Sequence, residues 1–325
     1  MSVIRPVDWR DLGLLARVRH RGLCLDSQLA FTRGANALQN ALLDPFNPQH
    51  SISTLVARGG RPASNSAVAQ LLLLENHPLA RLAFFGPPEA LELPLGLEML
   101  EALARFAGEH GAQSLIAEVD EQSPAFESLR AASFAIYARQ SLWRLDSPGA
   151  RPQAPDAPGW RHPSVQDRLA IQGLFRNLVP ALVQQVEPPP GRDRQGLVYW
   201  AEGELMAFLD VHRGPAGTWI LPYIHPAVES REELIAGALA GLSPSPSRPL
   251  YLCVRSYQGG LAAALEALGF QLYLDQAVMV KRLTARVRRP ALRPLPGMEG
   301  TQPEASAPIT YNSVKHSGVG YRRSS

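Results

Sequence analysis

The sequence has few residues that can form covalent or metal cross-links. Only Cys24 and Cys253 are cysteines among 325 residues, and they lie far apart with no C-x-x-C spacing. A structural zinc site takes about four Cys or His ligands, and the eight histidines are scattered along the chain. We therefore expect no metal site and two reduced thiols in the protein interior, where cysteine is commonly found.

The sequence also lacks a long apolar run. Its apolar stretches, such as Leu71 to Leu74, are far shorter than the roughly 20 residues that a membrane-spanning helix needs. The opening segment is interrupted by charged residues, among them Arg5 and Asp8, which is unlike a secretory signal peptide. We therefore expect a cytoplasmic protein with no membrane partner.

Lysine is scarce, and the excess of positive charge is confined to one end of the chain. Only Lys281 and Lys315 are lysines, and the net charge is +3. Residues 1–146 carry 13 basic and 15 acidic groups, whereas residues 284–325 carry seven basic and two acidic groups. Without a basic folded surface and without aromatic residues interleaved with basic ones, the sequence argues against nucleic-acid binding. The basic tail instead suits contact with an acidic partner.

Proline and glycine divide the chain. Five prolines lie between Ser147 and Pro163, a density typical of a semi-rigid linker. From Thr284 onward the chain is rich in Arg, Pro, Gly and Ser, which predicts disorder. The expected organisation is a first domain (1–146), a Pro-rich linker (147–163), a second domain (164–283) and a disordered basic tail (284–325).

Hydrophobic periodicity predicts the same order of elements in both halves: two helical segments, three strands, a helix, a strand, a short helix and a strand. In the first half the opening helix is capped by Asp8, with Asp11 completing a capping box, and a second helix is expected near Asn36–Leu43. The long helix spans Leu95–Glu109 and the closing strand Ala135–Leu145. In the second half the corresponding elements are Arg231–Leu242 and Leu272–Lys281.

A sequence similarity between the ends of the two halves, which we call the echo, supports this repeat. Residues 123–137 read SPAFESLRAASFAIY and residues 259–273 read GGLAAALEALGFQLY. Phe134 corresponds to Phe270 and Tyr137 to Tyr273, each pair separated by 136 positions. Both tyrosines are interpreted as packing residues at the start of a closing strand.

The order of elements and the ending of short helix, Gly-Phe and Tyr resemble the GNAT acyltransferase superfamily. The ending occurs as Leu268-Gly269-Phe270 with Tyr273, and as Ser133-Phe134 with Tyr137. The resemblance implies an α/β fold with a mixed, mostly antiparallel sheet, present as two acyl-CoA N-acyltransferase-like domains in tandem.

The resemblance also implies where acetyl-CoA or another acyl-CoA binds. Backbone groups of the fourth strand take the pantetheine arm, and a Gly-rich turn before the long helix takes the diphosphate, where backbone N–H groups favour an anion. The matching positions are Phe84, Phe85 and Gly96 in the first half, and Tyr223, Ile224, His225 and Ser230 in the second.

Both diphosphate turns depart from the family pattern. In the first half the arginine position is Leu91, and Pro94 removes a backbone donor. In the second half Glu229 replaces a basic residue and Glu232 a glycine. A carboxylate repels a diphosphate, although at the start of a helix it also stabilises the helix dipole.

No catalytic residue is assigned. The family's tyrosine acid is replaced by Leu129 and Leu265, and its asparagine by Gln122 and Gln258. Glu118 and Asp210 are considered as bases but are interpreted as outward-facing strand residues. His225 is interpreted as a turn residue.

Two functions remain open. The resemblance implies acyl-CoA-dependent N-acyltransfer, with acetyl transfer to the amine of a small molecule or to an N-terminal or side-chain amine of a protein. The alternative is a non-catalytic tandem protein that binds a ligand or a protein. The sequence does not identify the acceptor or the oligomeric state.

Overall fold

A computed structural model describes residues 3–34, 50–58, 66–74, 78–146, 159–190, 196–242 and 248–283. The helix expected near Asn36–Leu43, residues 147–158 of the predicted linker and the tail from residue 284 lie outside these ranges. Within them, no helix is both long enough and apolar enough to cross a membrane.

Most strands and helices lie close to their expected positions, whereas the elements at Leu23–Cys24, Ser27–Arg33 and Trp160–Arg161 were not predicted. The strands are β1 Val3–Pro6, β2 Leu23–Cys24, β3 His50–Arg58, β4 Ser66–Leu74, β5 Leu79–Gly86, β6 Ser114–Val119, β7 Ala135–Leu145, β8 Trp160–Arg161, β9 Gly196–Ala201, β10 Glu204–Arg213, β11 Thr218–Ile224, β12 Leu250–Arg255 and β13 Gln271–Arg282. The helices are α1 Leu12–Val18, α2 Ser27–Arg33, α3 Pro94–Glu109, α4 Pro124–Ala131, α5 Arg168–Leu178, α6 Ala181–Gln184, α7 Arg231–Leu242 and α8 Ala262–Ala267.

The first half opens with the predicted capping box. Asp8 accepts a hydrogen bond from the backbone N–H of Arg10 at 2.7 Å, and Asp11 accepts one from the N–H of Asp8 at 3.0 Å. Arg5 and Arg58 donate to the fully buried Asp11 carboxylate. Polar side chains therefore satisfy the helix start and tie it to β1 and β3, the outermost pair of strands at this end of the sheet.

The second half opens with the same arrangement, a capping box whose buried carboxylate also accepts from an arginine. The sequence interpretation missed it. Asp167 accepts from the backbone N–H of Ser164 at 2.6 Å and from both terminal nitrogens of Arg161. Arg161 belongs to β8, which pairs with β9. The last residues of the predicted linker are therefore part of the fold, because they supply the arginine for this buried carboxylate.

The strands form one continuous sheet, although we expected one sheet in each half. Its order is β1-β3-β4-β5-β6-β13-β7-β12-β11-β10-β9-β8, with β2 attached to β5. The closing strands are exchanged: β13 of the second half lies between β6 and β7, and β7 of the first half pairs with β12. Residues 1–286 accordingly form one compact unit, and the division into two domains stays a prediction about the repeat.

The centre of the exchange coincides with the repeat seen in the sequence. Gln140 of β7 lies directly opposite Gln276 of β13, and the two are separated by the same 136 positions as the echo. Both are buried, and Gln140 Nε2 donates to Gln276 Oε1 at 2.9 Å. Ser27 Oγ donates to the same oxygen at 2.8 Å. An approximate two-fold axis therefore passes through this glutamine pair.

Helices cover both faces of the sheet. On one face, α3 and α4 pack on the first half and α7 and α8 on the second, each over its own apolar core. On the other face, α1 packs on β3 to β5, α2 on the second half, and α5 and α6 near the centre. This mixed, mostly antiparallel arrangement confirms the predicted α/β fold class.

Candidate functional site

The sheet contains two parallel strand pairs, and in each the strands separate after three residues. β5 and β6 pair from Leu79 to Arg81, and β11 and β12 from Thr218 to Ile220. The crevice beyond the carboxyl ends of neighbouring parallel strands is where open α/β sheets bind ligands. We refer to these crevices as the first gap and the second gap.

The chain fills the first gap with its own β2. Leu23 and Cys24 pair with Phe85 and Phe84. The N–H of Leu25 then donates to the carbonyl of Ala83 at 3.0 Å, and the N–H of Glu118 on β6 donates to the carbonyl of Leu25 at 2.8 Å. The segment therefore bonds to both walls of the gap, as a ligand running between the strands would.

The predicted binding residues of the first half are engaged by the chain itself. The ring of Phe84 is buried against Gly22, where an added Cβ would lie 1.8 Å from Phe84 Cζ. Gly96 lies in the first turn of α3, and an added Cβ would come within 2.5 Å of the carbonyl oxygen of Leu91. Phe84 and Phe85 are thus paired to β2, and Gly96 packs on the preceding turn of the chain.

Charged side chains are buried beneath β2. Arg81 Nη2 donates to Glu118 at 2.9 Å, and its Nε lies 2.8 Å from Asp26, an ion pair rather than an aligned hydrogen bond. Glu118 is 2% exposed, so its interpretation as an outward-facing residue is wrong. Burial raises the pKa of Asp26, although the positive charge of Arg81 opposes that shift. This cluster belongs to the filled gap.

The second gap has no inserted strand among the described residues. A side chain spans it instead: Gln258, in the turn after β12, donates from Nε2 to the carbonyl of Pro222 on β11. The N–H of His225 donates toward β10, so strand alternation directs the backbone of Tyr223 to β10 and that of Ile224 into the gap. His225 Nδ1 lies 3.2 Å from the N–H of Ala227, a turn contact, as predicted.

An arginine lies at the N-terminus of α7, beside the second gap. Arg231 Nη1 donates to the carbonyl of Gly259 at 3.1 Å, and an added Cβ on Gly260 would lie 2.1 Å from the same nitrogen. Glu229 and Glu232 are exposed. Ser230 is also exposed and lines a cavity of about 390 Å³ together with Trp160, Tyr199 and Glu233, among others.

A buried polar cluster lies under α5 and α6, beside the second gap. Glu187 Oε1 accepts from the hydroxyl of Tyr137 and from Arg255 Nη2, the latter at 2.7 Å. Arg255 ends β12. Tyr137 is the extra residue of a bulge in β7, and bulges commonly redirect a side chain. We call Tyr137, Glu187 and Arg255 the central triad.

Burial sets the protonation of the central triad. Burial, reinforced by the negative charge of Glu187, raises the pKa of Tyr137 well above its ordinary range, so the hydroxyl is protonated at neutral pH. Burial, the largest single effect, lowers the pKa of Arg255, but Glu187 and the neighbouring Tyr137, Cys253 and Tyr257 together raise it further, so the guanidinium stays charged. The triad thus contains a neutral hydroxyl, a carboxylate and a cation.

The sequence interpretation singled out Tyr137 but not Glu187 or Arg255. The one sequence signal at Glu187 is the triple proline that follows it, which ends a helical segment. Asp210, a candidate base, lies on β10 with Oδ1 3.2 Å from His212 Nε2, outside the triad. No group of three His, Cys, Asp or Glu side chains suited to a metal occurs in the described part of the chain.

Solved structures with a similar fold include one tandem protein. The chain matches a GCN5-related N-acetyltransferase from Sphaerobacter thermophilus with a TM-score of 0.54 and 15% identity, over 86% of this chain and 95% of that one. It matches a tandem GNAT protein of the clavulanic acid biosynthesis pathway, solved without acetyl-CoA, with a TM-score of 0.51 and 17% identity, over 87% and 98%.

No family model and no curated protein matches the chain. Because both structural matches lie far below the identity at which function is shared, they show the fold alone. The chain has a GNAT-like fold, as the resemblance implied.

Proposed function

We propose that the protein is an acyl-CoA-dependent N-acyltransferase that transfers an acetyl or related acyl group to an amine, and that the second gap is its active site. One observation carries the proposal. The two halves have equivalent gaps, and β2 occupies the first whereas the second is spanned by the side chain of Gln258. We therefore place the proposed active site in the second half.

The second gap offers the groups that a pantetheine arm needs. The backbone of Ile224 presents a donor and an acceptor along β11, and Gln258 Oε1 is buried without a hydrogen-bond partner among the described residues. This oxygen is placed to accept an amide N–H of the ligand. The N-terminus of α7, with the charge of Arg231, is the position for the diphosphate.

The proposed chemistry is direct attack on the thioester. The amine nitrogen forms a bond to the carbonyl carbon, the carbon–sulfur bond breaks, and the sulfur leaves as a thiolate that takes up a proton. Glu187, which accepts from Arg255 at the end of β12, is the proposed base for the amine proton. Tyr137 and Arg255 orient it through their two hydrogen bonds.

A second candidate function is ligand or protein binding without catalysis. The observation that favours it is the exposed pair Glu229 and Glu232 at the proposed diphosphate position, together with leucine at the family's tyrosine position, Leu265. In that function the basic tail contacts an acidic partner.

Thermal unfolding with and without millimolar acetyl-CoA tests the proposal. A ligand that binds only the native state stabilises it by about 2.7 kcal/mol at 100 times its Kd, so we expect the melting temperature to rise. Thioester cleavage across a panel of amines then separates an enzyme from a binding protein. No stabilisation and no cleavage would reject the enzyme.

The acidic turn supplies a matched pair of variants. Glu229→Arg with Glu232→Gly removes two repulsive charges beside the diphosphate, and we expect acetyl-CoA to bind at least tenfold more tightly, since about 1.4 kcal/mol corresponds to that factor. Glu89→Arg with Glu92→Gly makes the same change beside the filled first gap and is expected to leave the affinity unchanged. Equal effects of the two double variants would contradict the assignment to the second gap.

A further inference from the structure

Arg255 is a buried cation with most of its hydrogen-bonding capacity unused. Its side chain is 5% exposed, and only Nη2 has a hydrogen bond, to Glu187. Nε and Nη1 are buried without a partner among the described residues. Buried polar groups are nearly always hydrogen-bonded, and leaving a charged one unsatisfied is costly. The unsatisfied donors of these two nitrogens therefore indicate a missing acceptor.

The surroundings define what kind of acceptor fits. A guanidinium is permanently charged and donates strong, charge-assisted hydrogen bonds to a carboxylate. Aromatic rings adjoin it on the same face of the sheet: Tyr223 packs in the central core and Tyr257 packs against that core. Aromatic side chains that exclude water from a charged group strengthen its hydrogen bonds. Within the central triad the one negative charge is that of Glu187.

We propose that the second gap binds a small molecule bearing a carboxylate, which accepts a hydrogen bond from Arg255 Nη1. The carboxylate belongs either to the acyl group, as in a dicarboxylic acyl-CoA, or to the acceptor, as in an amino acid. This inference rests on the proposed function only for the thioester part of the ligand. Binding of the carboxylate is measured in separate experiments.

The two sources are distinguished by matched ligands on the full-length protein. Calorimetry compares succinyl-CoA with butyryl-CoA, which replaces the carboxylate by a methyl group. A second series compares single L-amino acids with the amines that lack the carboxylate. We expect one series to show a preference of about 10- to 100-fold for the carboxylate-bearing member, the range for a hydrogen-bonded charge.

Arg255→Lys tests the residue. The lysine keeps a positive charge for Glu187 but has no second nitrogen at the position of Nη1, so we expect the carboxylate preference to fall at least tenfold. Arg144→Lys is the matched control, because Arg144 also has a buried unpartnered Nε but lies against Tyr251 and Tyr273, outside the triad. This control should keep the full preference.

The outcomes separate the two proposals. Acetyl-CoA binding without a carboxylate preference in either series would overturn this inference and leave the proposed function standing. A carboxylate preference among amino acids without any binding of acyl-CoA would support the inference and reject the proposed function. If Arg255→Lys does not fold, the comparison of ligands on the wild-type protein still decides the question. A wild-type protein with no carboxylate preference in either series would mean that a bound water, and not a ligand, satisfies Arg255.

Discussion

At the residue scale, buried carboxylates tie the start of each half to the outermost pair of strands at its end of the sheet. Asp167 accepts from Arg161, from the N–H and hydroxyl of Ser164, and from Trp200 Nε1. The hydrogen bonds from Arg161, which outweigh the effect of burial, lower the pKa of Asp167 well below its ordinary value. A depressed folded-state pKa stabilises the protein above the unfolded pKa of about 3.9, and that stability is lost as the pH falls below it.

Replacing this carboxylate should therefore have a pH-dependent effect. We expect Asp167→Asn to lower the free energy of unfolding at pH 7 by about 1.5–3 kcal/mol, the contribution of hydrogen bonds to a charged group. The difference from wild type should narrow as the pH falls below about 3.9, and urea unfolding at a series of pH values measures it. Asp146→Asn, at an exposed ion pair with Arg144, should cost less than about 1 kcal/mol. A loss independent of pH would contradict the ionic origin.

Single residues also show what sequence reasoning reached. Asp8 was recognised as a helix cap because its capping box with Asp11 is local, three residues apart. Glu118 was misjudged because its ion pair with Arg81 and its bond from Ser27 come from distant parts of the chain. Alternation along a strand predicts a face, but it does not tell which other element covers that face.

At the scale of elements, β2 distinguishes the two halves. It is two residues long and was not predicted, because so short a segment has no periodicity. Beside it, Gly22 leaves room for the ring of Phe84, because an added Cβ would lie 1.8 Å from Phe84 Cζ. The acyl-CoA positions of the first half were predicted from the fold's pattern, which says nothing of an inserted strand.

A side chain at position 22 should therefore disturb β2. We expect Gly22→Ala to lower the free energy of unfolding by about 1–3 kcal/mol through overpacking, and Phe84→Leu in the same chain to restore part of the loss. A double-mutant cycle measures this coupling. Gly13→Ala, in α1 with nothing near the added Cβ, should be neutral or stabilise by up to about 1 kcal/mol. Additive effects of Gly22→Ala and Phe84→Leu would show that the two do not compete for space.

At the scale of the whole molecule, the repeat was visible in the sequence but the exchange of strands was not. The echo at an offset of 136 located both closing strands, β7 and β13. Whether a closing strand returns to its own half or crosses to the other depends on pairing partners more than 100 residues away, such as β13 with β6. Local patterns carry no information on that choice, since either pairing buries the same side chains.

The exchange makes a clear prediction for a chain cut between its halves. A protease site placed within residues 147–158 would be cleaved to give two fragments, each with its closing strand embedded in the other fragment's sheet. Because separation would break the ladders of β13 with β6 and of β7 with β12 and expose the buried glutamine pair, we expect the fragments to co-elute as one species on size exclusion. They should melt in one transition near that of the uncut protein and separate only in denaturant. Removal of residues 284–325 is the control, expected to leave the melting temperature nearly unchanged. Two fragments that separate and stay folded would show that each half closes its own sheet.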